Sequence, residues 1–222
     1  MRRLNIFIDE TGNFGFEKDN SKLYGVSFIF HDSKNNITNE IEHLNQKLQD
    51  IGYSNMIHMA DLVSNRGEYK QYDFETRKKI FWTIFTFTKR INIKVVSIFV
   101  NKKYLADKTL LKNKLIFELA TVVNGNQSTI EKYDKVTVYY DGGQKELEEI
   151  IETIFAGFSN LYIKKKFDQK EKRLFQVTDM LTFIDKLEYK RKNKLEMTKS
   201  ELSFFTKKNM RIIMNSLKNK RL

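Results

Sequence analysis

The sequence predicts an α/β fold: a mixed five-stranded sheet with helices on both faces, an extra helical insertion between strands two and three, and a basic C-terminal helix. Three observations predict it. Short β-branched and aromatic runs are separated by longer segments whose apolar residues recur at helical spacing. In the second half, strands and helices alternate, which implies parallel pairing through right-handed crossovers. The first two strands lie close enough in sequence to pair antiparallel, and the third joins them as a meander interrupted by helices. The 222 residues show no internal repeat, linker or low-complexity block, so residues 1–222 read as a single domain large enough for a sizeable core.

The first strand is Leu4–Ile8, and it ends abruptly in Asp9-Glu10-Thr11-Gly12-Asn13-Phe14-Gly15. Gly12 and Gly15 mark a turn, and Asp19–Lys22 reads as a loop. Leu23–His31 is the second strand, and Thr38–Gln49 an amphipathic helix with Ile41, Leu44 and Leu48 on one side. Ser54–Arg66 has no clear period. Phe74–Thr88 is a helix that buries Ile80, Phe81, Ile84 and Phe85. Ile91–Val100 is almost wholly apolar and reads as a central strand. Leu110–Val123 is a helix with Leu111, Leu115, Leu119 and Val122 as its stripe. Lys135–Tyr140 is the fourth strand and runs into Asp141-Gly142-Gly143. Gln144–Phe158 carries the clearest helical period, and Leu161–Phe167 is the fifth strand. Leu174–Arg191 and Ser200–Leu217 complete the chain as helices.

Composition narrows the chemistry. The chain contains no cysteine, which excludes disulfides, thiolate zinc sites and a cysteine nucleophile. No apolar run approaches a membrane span, and the chain enters its first strand without a signal peptide, so a cytoplasmic location is expected. Net charge is +12, and residues 186–222 hold twelve Lys or Arg against three Glu. Such a balance points to a polyanion, nucleic acid first. A solvated helix face, or a dimer arm built from the C-terminal helix, has the same composition. The absence of proline carries no function.

Three acids occupy comparable places. Asp9 ends the first strand and Asp141 the fourth. If those strands are parallel neighbours, both acids emerge at the carboxyl edge, where open α/β sheets bind ligands. Asp179 sits in the late helix with Phe175 and Phe183 one turn away on either side, a costly position unless a cation pairs with it. Glu118 lies at the edge of an apolar helix stripe and reads equally as a flanking surface acid. Glu10 reaches the site only if the turn begins there; otherwise it faces away from Asp9. Clustered carboxylates favour a hard divalent cation, Mg²⁺ or Mn²⁺, and two such ions clamp a phosphodiester. His58, near Asp61, is a candidate for positioning or leaving-group protonation, or a loop residue with a local hydrogen bond. His31 and His43 read as surface residues.

This acid pattern resembles the ribonuclease H-like superfamily. More narrowly, Phe7–Gly15 together with Phe175-Gln176-Val177-Thr178-Asp179-Met180-Leu181 resembles the bacterial domain-of-unknown-function 3800 family. That family's opening block is Asp-Glu-Ser-Gly-Asp and its late block Gln-x-Ala-Asp-Leu. Thr11, Asn13 and Thr178 depart from those blocks, and none of the three replaces an acid of the proposed set. The resemblance covers most of the chain through these short blocks. It implies the ribonuclease H-like fold, the site acids and, loosely, a role in phage defence or mobile-element conflict. His58 resembles a histidine block of the same family.

The expected activity is metal-dependent hydrolysis of phosphodiesters in RNA, an RNA–DNA hybrid or single-stranded DNA, with RNA first. Asp9, Asp141 and Asp179 would be ligands, with Glu10 or Glu118 completing the shell. The rival is a non-catalytic basic domain that binds nucleic acid or a protein partner. An actin-like ATPase needs two copies of the fold, a haloacid-dehalogenase-like phosphatase needs an acid where Thr11 stands, and no phosphate-binding Gly-Lys-Ser/Thr loop is present.

Overall fold

The computed structural model describes residues 1–17, 21–164 and 169–222. The chain divides into two compact units, each made of two stretches: Met1–Lys34 with Val95–Phe167, and Asn35–Lys94 with Asp168–Leu222. The helical insertion and the late helices expected from the sequence fall together in the second unit. Among the described residues no helix is long and apolar enough to cross a membrane.

The first unit is built on the mixed five-stranded sheet expected from the sequence, in the order β3-β2-β1-β4-β5; β3, which reads as central from its apolar run, is instead an edge strand with mostly half-buried residues. Its strands are β1 (Arg3–Thr11), β2 (Leu23–Asp32), β3 (Lys94–Asn101), β4 (Lys135–Tyr139) and β5 (Leu161–Lys164). β1 pairs antiparallel with β2, from Leu4 opposite Asp32 to Thr11 opposite Gly25. β1 pairs parallel with β4, and β4 with β5. The Ser27 and Ser97 hydroxyls meet at 2.7 Å, and the Lys102 N–H donates to the Lys22 carbonyl at 2.8 Å. The β3 partner number falls as the β2 number rises, so these two strands also run antiparallel. The loop expected at Asp19–Lys22 lies partly outside the described residues, as does the expected end of β5 at Phe167.

Side-chain alternation sorts β1 into two faces. Leu4, Ile6 and Ile8 join one buried cluster with Tyr24, Val26, Phe28, Val136 and Val138. This face is covered by α4 (Lys108–Gly125) and α6 (Lys145–Phe155), which pack against each other. A short α5 (Gln127–Ile130), not expected from the sequence, follows α4. α4 buries Leu111, Leu115, Leu119 and Val123. The last of these replaces the expected Val122, which is only half-buried: the buried row keeps its four-residue step to the end of the helix. Each fully buried aliphatic side chain here contributes roughly 1.5–3 kcal/mol. Phe7 lies on the other face and stacks on Tyr139 at 4.6 Å between ring centres. His31 is also wholly buried, contrary to the surface place expected of it, because β2 is covered along nearly its whole length.

The turn after β1 is fixed by two devices. Gly12 has φ +91°, and a Cβ there would lie 2.4 Å from the Leu23 carbonyl oxygen, so only glycine fits. Buried Lys102 donates to the carbonyls of Asn13 at 2.8 Å and Gly15 at 2.5 Å.

The second unit is helical: α1 (Thr38–Asp50), α2 (Met59–Ser64), α3 (Phe74–Arg90), α7 (Gln169–Lys192), α8 (Lys199–Phe204) and α9 (Lys207–Leu217). α7 packs against α1, α2 and α3. The Asp73 carboxylate caps α3 by accepting from the Thr76 N–H. The single helix expected over Ser200–Leu217 is two. Thr198 and Glu201 form a capping box that starts α8, and Thr206 caps α9 by accepting from the Asn209 N–H. Thr206 directly follows Phe205, the C-cap of α8, so α8 ends without glycine or proline.

Candidate active site

β1 outlasts β4. Their parallel pairing ends at Phe7 opposite Tyr139, while β1 continues beside β2 to Thr11. Asp9 and Asp141 therefore each lie two residues past a paired position, at one carboxyl edge of adjacent parallel strands. Asp9 is half-buried and stands opposite Ser27; Asp141 is exposed and accepts from the Gly143 N–H at 3.1 Å.

Because the strand runs through Glu10, that residue falls on the face of Ile6 and Ile8, opposite to Asp9. This is the outcome in which Glu10 faces away from Asp9, yet the segment after β4 comes to meet it. Glu10 Oε1 accepts from the Tyr140 hydroxyl and from Gln144 Nε2, both at 3.2 Å. Gln144 Nε2 also donates to the Gly12 carbonyl at 3.0 Å, tying the two segments together. A Cβ on Gly143 would lie 3.0 Å from Glu10 Oε1 and 3.4 Å from Asp141 Oδ1, so the missing side chain leaves both carboxylates their room.

Glu10 Oε2 is buried without a hydrogen-bond partner. Burial first, and then the Asp141 charge, push the Glu10 carboxyl up to about 7, against the pull of Gln144 and Tyr140. The Tyr24 hydroxyl is likewise buried without a partner, and burial followed by the Glu10 charge pushes it up. The donors are all oxygen and the hydrogen-bond partners of Glu10 are neutral. An orphaned carboxylate oxygen beside a second carboxylate fits a hard divalent cation. Among the described residues no group of three or more His, Cys, Asp or Glu side chains is assembled to hold a metal ion.

Asp179 belongs to the second unit, half-buried on α7. Its Oδ2 accepts from the Met59 N–H at 2.8 Å, at the first residue of α2. His58 precedes that residue but supplies no side-chain cap, so Asp179 performs the capping from another helix. Burial pushes the Asp179 carboxyl up to about 6, eased by the Met59 amide, His58 and Lys186. At the other end of α2, buried Arg77 donates to the Leu62 carbonyl at 2.8 Å. An anion at the N-terminus and a cation at the C-terminus both suit the helix dipole.

His58 itself is exposed, and its backbone N–H donates to the Tyr69 hydroxyl at 3.0 Å. Asp61 pairs with Arg66 at 3.1 Å. Glu118 is half-buried on α4, beside the buried row of Leu111, Leu115 and Leu119. The residues that the sequence did not single out are Tyr24, Tyr140 and Gln144. Their one signal was position: Tyr140 and Gln144 flank Asp141 and its glycine turn.

No protein-family model matches the chain, and no curated protein matches it. Among solved structures, the chain is similar to RNase HII of Archaeoglobus fulgidus, solved as a complex with PCNA, at a TM-score of 0.39 and 11% identity over 99% of this chain and 89% of that one. It is also similar to ribonuclease H2 of Pyrococcus horikoshii OT3, at a TM-score of 0.38 and 15% identity over 98% of this chain and 99% of that one. Likenesses of this size assign no residue and no reaction.

Proposed function

We propose that this chain is a divalent-metal-dependent nuclease that hydrolyses phosphodiesters, with RNA as its first substrate and RNA–DNA hybrid or single-stranded DNA next. One observation carries the reading. The edge where β1 outlasts β4 presents Asp9, Glu10 and Asp141, and one Glu10 oxygen is buried there without a partner. The net charge of +12 favours the same polyanionic substrate.

Glu10 and Asp141, whose carboxylates both lie beside Gly143, would hold the metal, Mg²⁺ or Mn²⁺; the ligand role expected of Asp9, on the opposite face of β1, is a separate part of the proposal. When bound, such an ion supplies charge neutralisation and Lewis acidity at a phosphoryl oxygen. Tyr140 and Gln144 orient Glu10 by fixing Oε1, which leaves Oε2 to carry a proton or meet a cation. The glycine turn after Asp141 keeps side chains away from both carboxylates. The ligand role expected of Asp179 and the assisting roles expected of Glu118 and His58 are separate parts of the proposal, each tested by its own substitution. Membership of the domain-of-unknown-function 3800 family, a single ribonuclease H-like domain, a cytoplasmic location and a role in phage defence belong to the same proposal.

The test is cleavage of labelled single-stranded RNA, RNA–DNA hybrid and DNA with Mg²⁺, Mn²⁺ or EDTA, wild type beside Asp9→Asn. Metal-dependent cutting that the variant lacks is expected. No cutting of any substrate, with salt-sensitive binding equal in both proteins, would overturn the enzyme reading. It would favour the alternative, a basic nucleic-acid-binding domain. One observation speaks for that alternative: Asp179 Oδ2 is already taken by the Met59 amide.

A further inference from the structure

The chain has one tryptophan, Trp82, and it does not lie in the sheet unit. It is half-buried on α3, where Phe81 and Phe85 meet it edge-on with ring centres 5.1 Å and 5.4 Å away. Those edge contacts hold the indole in one orientation. Its remaining surface lines a groove of about 400 Å³ that α1 and α3 form together, with Leu44 and Phe87 as further apolar lining. The rim is cationic. Lys47, Lys79 and Arg90 stand around it with His43, against one acid, Glu40. Lys47 shares its charge with Asp50 at 3.5 Å, which leaves Lys79 and Arg90 as the main attraction for an anion.

An apolar floor with an oriented tryptophan and a cationic rim matches an apolar ring joined to negative charge. A nucleotide in a single strand has that chemistry: its base stacks on an aromatic ring while Lys and Arg follow the backbone. In a duplex the bases already stack on one another and do not present a free face. We propose that the groove between α1 and α3 is a binding site for single-stranded nucleic acid, with one base against Trp82 and the flanking phosphates at Lys79 and Arg90. The inference rests on the nucleic-acid part of the function proposed above and adds the strandedness of the substrate.

Because Trp82 is the only tryptophan, its emission reports on this groove alone. The full chain is titrated in EDTA with a labelled single-stranded RNA of about 12 nucleotides, within the span such sites cover, and with a blunt duplex. Emission and label anisotropy are followed together. The single strand is expected to quench Trp82, and Trp82→Leu to bind about tenfold more weakly, the scale of one lost base stack. Trp82→Phe is expected to restore part of the affinity, and Lys79→Glu with Arg90→Glu to flatten the salt dependence. These two charge variants keep the aromatic packing intact, so they test the site even where Trp82→Leu unfolds.

Three results would overturn it: anisotropy that rises with unchanged emission, equal quenching by the duplex, or emission that follows protein concentration rather than RNA. The last would mark the groove as a contact between two copies of this chain. EDTA keeps the test apart from catalysis. Quenching without metal-dependent cutting would leave the groove standing and sink the nuclease. Cutting of single strands with an unchanged KM in Trp82→Leu would do the reverse.

Discussion

Glu10 in the sheet unit and Asp179 in the helical unit are both acids that burial pushes upward, to about 7 and about 6. They differ in how their oxygens are employed. Asp179 Oδ2 is committed to a helix end through the Met59 amide. Glu10 keeps Oε2 buried and without a partner while Asp141 raises its energy further. A raised acid with a committed oxygen is explained by the fold that uses it. A raised acid with an idle oxygen is strain that folding alone does not account for, and such strain collects at functional sites. This is why the edge of β1 and β4 carries the catalytic proposal more firmly than the helix that looked equally acidic in the sequence.

The largest expected effect separates the two acids by activity. Asp141→Asn is expected to lower metal-dependent cleavage about 10²–10³-fold, the scale of several kcal/mol of lost charge stabilisation. It also removes the second cause of the Glu10 shift, so Glu10 titrates closer to its ordinary value, as carboxyl NMR shifts would show. Full cleavage in this variant would place the chemistry elsewhere.

Next comes the stability of metal-free protein. The folded Glu10 value lies above the ordinary 4.5, so between the two the folded chain holds more protons than the unfolded one. Stability therefore falls as pH rises from about 4.5 to about 7, by on the order of 3 kcal/mol in all. Glu10→Gln is expected to be roughly 2–3 kcal/mol more stable than wild type above pH 7, with the gain gone by pH 4.5. Urea unfolding at both pH values reads this directly, and equal stability at pH 8 would show that Glu10 is not raised.

Asp179 then divides by substitution. Asp179→Ala removes the cap of α2 and is expected to cost about 1–2 kcal/mol. Asp179→Asn keeps an acceptor and should cost less than half of that. If Asp179→Asn instead abolishes cleavage at unchanged stability, Asp179 is a ligand and its contrast with Glu10 disappears. The smallest effect is Gly143→Ala. The new methyl group must displace Glu10 Oε1 slightly, so cleavage should drop several-fold with a stability change of about 0.5 kcal/mol.

Much of this was legible in the chain. The five strands, their parallel and antiparallel senses and the shared edge of Asp9 and Asp141 follow from local periodicity and the crossover rule. What stayed hidden is non-local. α2 is six residues long and is fastened by Asp179 at one end and Arg77 at the other, so nothing in Met59–Ser64 itself announces a helix. The place of Glu10 depended on whether β1 continues to Thr11, and that depends on β2 remaining beside it. The break between α8 and α9 was a different matter. The capping pairs Thr198 with Glu201 and Thr206 with Asn209 were visible, but the apolar stripe around them suggested one continuous helix.

The discontinuous make-up of the two units sets an order of events during synthesis. All five strands have emerged by Lys164, while α1, α2 and α3 are made early and their shared packing partner α7 begins only at Gln169. At about 5–20 residues per second, those helices wait several seconds for it. Over that interval a ribosome-bound chain carries a sheet ready to close and three helices with an uncovered flank. A nascent chain halted with residues 1–167 clear of the ribosome should therefore be cut by protease within 35–93 and spared in its strands.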